Sequence, residues 1–143
     1  MKDLSIKKFK IEDIDLMIEV GYEAYVGYED VFDSYEETLK FITWPISHGY
    51  WIDDELIGSV YGYSDGDVFH IYSVEMRKSF QNRGLGSMLL NFALFYAKMN
   101  NFKQVRAYAL TDGGKRLLSR HGFVKVGEKF TGPHLQDVMV LNE

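Results

Sequence analysis

The apolar positions of this chain change period repeatedly, from two to between three and four and back, and each change marks an element. Leu4-Ser5-Ile6-Lys7-Lys8-Phe9 reads as a first strand, and Ile14, Ile18, Tyr22 and Tyr25 suggest a helix behind it. Ser34-x-x-Glu37 is a capping box for a second helix, ending near Trp44-Pro45. Tyr50-Trp51-Ile52 and residues 56–63 form a hairpin joined through Asp53-Asp54-Glu55. Asp65-Gly66-Asp67 then turns the chain into a strand at residues 69–76. Leu85, Met88, Leu89, Phe92, Ala93, Tyr96 and Met99 recur on one face of the strongest helix, which runs to about Asn100. A strand at 105–110, a short helix at 114–120, Gly122-Phe123 opening Val124-Lys125-Val126, and a last strand at 137–141 complete the order.

Between the strand at 69–76 and the long helix stand Gln81-Asn82-Arg83-Gly84-Leu85-Gly86. A strand that turns through glycines into a helix N-terminus suits an anion: the backbone can approach closely, and the unpaired first amides of the helix point outward. A P-loop would need Lys-Ser/Thr after the second glycine, where this chain has Ser87-Met88. A dinucleotide fingerprint would need a third small residue where Leu89 stands. Gln/Arg-x-x-Gly-x-Gly/Ala is matched without a gap by Gln81, Gly84 and Gly86.

That pattern resembles the acetyl-coenzyme A loop of the GNAT superfamily of N-acetyltransferases, and the order of elements resembles it over nearly the whole chain. The resemblance implies an α/β (α+β) fold in one domain over residues 1–143. It implies a mixed sheet of about six to seven strands flanked by about four helices. Acetyl-CoA would be the acyl donor. The amides of the loop, with Gln81, Asn82, Arg83, Gly84, Leu85, Gly86 and Ser87, would take the diphosphate. The strands on either side of the long helix would splay to admit pantetheine. A backbone N–H around Val74, Glu75 and Met76 would meet the thioester oxygen, and Thr111 would reach the pantetheine arm.

Composition narrows the chemistry. The chain has 143 residues, 46% of them hydrophobic, enough for one substantial core. It has no cysteine, which excludes disulfides, thiolate zinc sites and a cysteine nucleophile, and no metal site is expected. No run approaches the ~20 apolar residues of a membrane span, and the expectation is a cytoplasmic protein. Residues 1–76 hold 5 Lys/Arg against 17 Asp/Glu, and residues 77–143 hold 11 against 4. The basic half contains the loop; Arg77, Lys78, Arg83, Lys115, Arg116 and Arg120 are its cations nearest in sequence. The acidic half would attract a cationic amine. Overall acidity argues against nucleic acid as a partner. A homodimer through edge strands or helix faces is compatible with the family.

Acetyl transfer to an amine needs no side-chain nucleophile; it needs alignment, removal of the ammonium proton and protonation of the leaving thiolate. Members of the family often place a glutamate base eleven residues before the loop's Gln/Arg, and here that position is His70. Tyr72, Val74 and Met76 would share its face by alternation. The tyrosine acid of many members lies four residues before the Gly-Phe glycine, a position held here by Leu118, which can donate nothing. Tyr108 is the substitute by location, with Tyr61, Tyr63 and Tyr72 as rivals. Tyr25, Tyr28, Glu29 and Asp30, in an aromatic and acidic stretch, are the candidate acceptor contacts, with Gly132-Pro133-His134 as an opposite wall. Without a side-chain acid at Leu118, a silent acyl-CoA-binding regulatory module stands as the alternative to an active enzyme.

Overall fold

The computed structural model describes residues 3–28 and 34–142. β1 (Leu4–Lys8) leads through a 3-10 turn into α1 (Ile14–Ala24) and α2 (Tyr35–Phe41). β2 (Ile46–Ile52), β3 (Glu55–Asp65) and β4 (Val68–Met76) come next, then α3 (Leu85–Met99), β5 (Gln104–Ala109), α4 (Asp112–Arg120), β6 (Val124–Thr131) and β7 (His134–Asn142). All seven strands join one sheet in the order β1-β2-β3-β4-β5-β7-β6. Every pairing is antiparallel except β4 with β5, which α3 connects as a crossover.

The expected order of elements stands, and the local signals explain why. The Ser34 hydroxyl accepts from the Glu37 amide at 3.1 Å and the Glu37 carboxylate accepts from the Ser34 amide at 3.1 Å, closing the capping box that starts α2. Thr111 caps α4 by accepting from the Gly114 amide at 3.1 Å, so that helix begins at Asp112 rather than at Gly114. β6 continues to Thr131, well past the expected Val126. As the outermost strand it is exposed along most of its length and carries no alternation to read.

Two cores lie on opposite faces of the sheet. Val60 belongs to one and Tyr61 to the other, and successive strand residues point opposite ways. Phe69, Ile71, Ala107 and Met139 pack under Leu89, Leu90 and Ala93 of α3. On the other face Phe9, Ile14, Met17, Val20, Phe41 and Trp51 gather under α1 and α2. The helix suggested by Ile14, Ile18, Tyr22 and Tyr25 is present, and most of those residues lie beside its buried face. The buried residues are Ile14, Met17 and Val20, and Tyr22 is 56% exposed. Ile18, Tyr22 and Tyr25 instead line a cavity beside that core.

One irregularity in β4 sets up everything downstream. Tyr61 pairs with Ser73 and Gly62 with Ile71, so Tyr72 is an extra residue on β4. Such a bulge inverts the facing of the residues beyond it. Phe69 and Ile71 before it, and Val74 and Met76 after it, all face the α3 core. Tyr72, Ser73 and Glu75 face the α1 side. The expectation that His70, Tyr72, Val74 and Met76 share one face fails at this residue. The β4–β5 ladder runs from Val68–Gln104 to Ile71–Ala107 and ends there, as the bulge begins. Gly62 is tightly fitted opposite it: a Cβ would lie 2.5 Å from the Phe69 ring and 3.0 Å from the His70 carbonyl oxygen.

Gly62→Ala should lower stability by about 1–3 kcal/mol through overpacking, measured by urea denaturation. Full wild-type stability would refute the fit. A second expectation concerns acid. The His48 ring packs 4.7 Å from Phe92, and its Nδ1 accepts from the Ser47 amide at 3.0 Å. Burial, aided by the Lys8 charge, lowers its pKa to about 4. The unfolded chain therefore takes up a proton first. The His48 contribution is intact above pH ~6.5 and is lost as pH falls from there through about 4. His48→Gln should flatten the fall of melting temperature across that window.

Candidate active site

Beyond the end of the β4–β5 ladder the strands enclose a cleft, and the turn leaving β4 closes one end of it. Gln81 donates from Nε2 to the Met76 carbonyl at 3.1 Å, folding the loop back over the strand end. Asn82 and Gly84 take positive φ, 61° and 77°, a conformation that asparagine tolerates and glycine adopts freely. Gly84 is the N-cap of α3 and has no side chain with which to satisfy the first amides. A Cβ there would meet nothing within 4 Å. Gly84, Gly86 and Ser87 line the cleft at the positive end of a 15-residue helix. Gly86 packs more closely, its would-be Cβ 3.5 Å from Leu117 of α4.

The cleft holds about 350 Å³. Val74 and Met76 of β4, the loop residues Gln81, Asn82, Gly84, Gly86 and Ser87, Ala109 of β5 and Thr111 line it. Arg116 and Arg120 of α4 add cations to its wall. A backbone-rich channel with glycines, two helix starts and two arginines fits a diphosphate-bearing donor on a slender arm. Among the other expected cations, Arg77 is engaged elsewhere. Its guanidinium donates to the Leu56 carbonyl at 2.6 Å, to Glu19 at 2.9 Å and to Glu23. It thus fastens α1 to the end of β4. Lys115 pairs with Asp137 at 3.8 Å, and Arg83 lies over the Phe80 ring at 5.5 Å. Leu118, at the place of the expected tyrosine, is 5% exposed and packs in the α3 core.

On the opposite face lies a smaller cavity of about 190 Å³, walled by α1, α2 and the aromatic residues of β3 and β4. Tyr25, Ser73, Tyr108 and Leu110 line both cavities, which therefore meet where the ladder has ended. Tyr108 shares a 2.9 Å hydrogen bond between its hydroxyl and Nδ1 of His70. The His70 ring stacks on Tyr63 at 4.7 Å and parallel to Tyr108 at 6.0 Å. Burial lowers the His70 pKa, Asp65 at 4.0 Å opposes this, and Arg106 and Lys129 lower it further. Burial also raises the Tyr108 pKa, so the phenol keeps its proton at neutral pH. His70 lines neither cavity and reaches them through Tyr108.

Of the expected acceptor contacts, Tyr25 stands between the cavities, whereas Tyr28 packs its ring 4.7 Å from His134 and lines neither. Glu29 and Asp30 lie outside the described residues. One expected site residue presents a different group from the one expected, and one residue went unread. Glu75 was expected to act through its backbone, yet its side chain lines the smaller cavity; it is the one acidic residue in β4, which was the available signal. Gly21 lines the same cavity from mid-α1, and a glycine inside a helical run was the signal there. No cluster able to hold a metal ion occurs among the described residues. No helix among them is long and apolar enough to cross a membrane.

Residues 16–123 match the Acetyltransferase (GNAT) family, and the chain belongs to that family. It is an N-acetyltransferase with acetyl-CoA as its acyl donor, and the glycine loop, the cleft and its arginines fit that donor. No curated protein sequence matches it. Among solved structures, a PaiA N-acetyltransferase from Thermoplasma acidophilum in complex with coenzyme A superposes with a TM-score of 0.84 at 18% identity, covering 99% of each chain. Ard1 from Thermoplasma volcanium gives 0.83 at 20% identity over 97% of each chain. Arabidopsis thaliana Naa50, in complex with the bisubstrate analogue CoA-Ac-MVNAL, gives 0.80 at 12% identity, covering 98% of this chain and 99% of that one. At these identities the likeness is one of fold.

Coenzyme A should raise the melting temperature by linkage. Gly84→Asp and Gly86→Glu should abolish that rise by placing a carboxylate against the diphosphate. Calorimetry on the folded variants that returned wild-type affinity would remove the loop from the donor site.

Proposed function

We propose that the chain transfers the acetyl group directly to a primary amine while both substrates are bound, the donor in the larger cavity and the amine in the smaller. The acceptor is a cationic small molecule or a peptide amine. The observation that carries this reading is the meeting of the two cavities beside Tyr108, at the end of the β4–β5 ladder. The donor supplies an activated thioester, and the chain's own residues align it with the amine and handle the protons. Val74, Glu75 and Met76 run along the cleft past the last β5 pair, where a strand amide is available to polarise the acyl oxygen. Thr111 offers its hydroxyl proton to the pantetheine arm, since its oxygen already accepts from Gly114.

Tyr108 is the group placed to give a proton to the departing thiolate. Neutral His70 holds the phenol in position and takes the ammonium proton through it; after attack, Tyr108 gives its proton to the thiolate and regains one from the acylated nitrogen. Direct contact of His70 with the amine, the role its place in the chain suggests, thus gives way to action through Tyr108. The excess of carboxylates over cations in residues 1–76 gives the amine its long-range electrostatic attraction. An assay of thiol release over a panel of amines tests the reading. No release with any amine of the panel, from a chain that still binds coenzyme A, would leave the silent acyl-CoA-binding module in its place.

Tyr108→Phe and His70→Ala should each lower kcat by about 10²-fold while sparing coenzyme A affinity. A loss under about threefold would make the pair structural. The His70 pKa lies below its ordinary value, so the rate should fall on the acid side only below pH ~6.5, as His70 gains a proton. Asp65 raises that pKa, so Asp65→Asn should move the acidic limb to still lower pH.

A further inference from the structure

We propose that the Glu75 carboxylate is the docking group of the smaller cavity, and that the acceptor is a monoamine whose ammonium is carried on a short apolar arm. The proposal rests on the reading of that cavity as the acceptor site. Glu75 is 5% exposed, yet it lines the cavity, and it is the one carboxylate among the described lining residues. The bulge at Tyr72 aims it there; in regular alternation from His70 it would face the α3 core. Ser73 donates to its Oε2 at 2.9 Å and fixes the carboxyl plane.

The helix packs closely over the other oxygen at a residue without a side chain. Gly21 sits inside α1, where glycine is among the poorest helix formers, and a Cβ there would lie 3.4 Å from Glu75 Oε1. An alanine there would sit in ordinary van der Waals contact with the carboxyl group, and a side chain that extends past Cβ would reach over it. Around it stand ring faces: Phe41 packs 5.0 Å from both Tyr61 and Tyr72, and all three line the cavity. A carboxylate beneath aromatic rings recognises an ammonium by charge and by the ring quadrupoles together.

Size and rim charge narrow the arm. At about 190 Å³ the cavity is smaller than the roughly 300–1,000 Å³ of drug-sized pockets, so it takes one short chain. Lys129, whose Nζ lies 5.0 Å over the Tyr108 ring, also lines it. A second cation on the acceptor would meet that lysine, which disfavours polyamines. Glu75 lies two residues from Ser73, which lines both cavities, so an ammonium held there sits beside the donor cleft.

The test uses the protein loaded with coenzyme A and titrates n-butylamine against n-butanol, a neutral probe of matching length, by two-dimensional NMR. Spermidine serves as the polyamine. Wild type should prefer butylamine to butanol by about tenfold or more, the worth of a hydrogen bond to a charged partner, and should bind spermidine no better than butylamine. Glu75→Gln should reduce that preference to about threefold or less with coenzyme A affinity retained. Gly21→Leu, which adds a good helix former over the carboxylate, should do the same and decides the matter if the glutamine variant does not fold. No preference in wild type, a preference that survives substitution, or spermidine as the tighter ligand would overturn the proposal. Thiol release is measured separately. A Glu75-dependent preference without turnover would uphold the docking role and refute acetyl transfer, while turnover without the preference would do the reverse.

Discussion

The site depends on where one ladder of hydrogen bonds stops. β4 and β5 pair from Val68–Gln104 to Ile71–Ala107, and the extra residue at Tyr72 then twists β4 away. A parallel pair buried inside a sheet ordinarily keeps its ladder closed, because unpaired backbone groups are costly. Ending it early leaves strand amides available to a ligand and opens a passage between the two faces of the sheet. The cost is met by close packing nearby: Phe69 is fully buried, and Gly62 lets its ring approach the partner strand.

The order of elements was legible because each signal was local. The capping box at Ser34, the two-residue turn at Gly66-Asp67 and the helical spacing from Leu85 to Met99 depend on neighbours in the chain. The glycine loop was legible for the same reason. Its geometry arises from residues 81–86 and the helix they open. Sequence presents His70 and Tyr108 only as two separate candidates, and the 2.9 Å contact joins them across adjacent strands.

The features that escape sequence reading are long-range. Nothing near Tyr72 announces that β4 gains a residue relative to β3, so alternation carried through it assigns Val74 and Met76 to the wrong face. Arg77 looks like a phosphate ligand beside the loop until Glu19 and Glu23, more than fifty positions away, take its guanidinium. The apolar spacing on α1 reads as a helix, but it does not tell residues of the core from residues that wall a cavity. Ile18 and Tyr25 have the periodicity of a buried face with an opening in front of them. Charge asymmetry between the halves remains visible as arginines on the larger cavity and a carboxylate in the smaller one.

The passage between the faces also bears on how such a scaffold can diverge. Ile18, Thr131 and Gln136 line the smaller cavity alone, whereas Tyr25, Ser73, Tyr108 and Leu110 line both. Substitutions with no shared partners combine additively, while those at a common wall couple. With the proposed division of donor and acceptor between the cavities, a lineage can retune its acceptor through α1 and the β6–β7 hairpin without disturbing the donor, and those surfaces come from separate stretches of chain. Four residues form the exception. At them, a change of acceptor preference and a change of donor fit become the same mutational event, and these positions should drift most slowly in any collection of evolved variants.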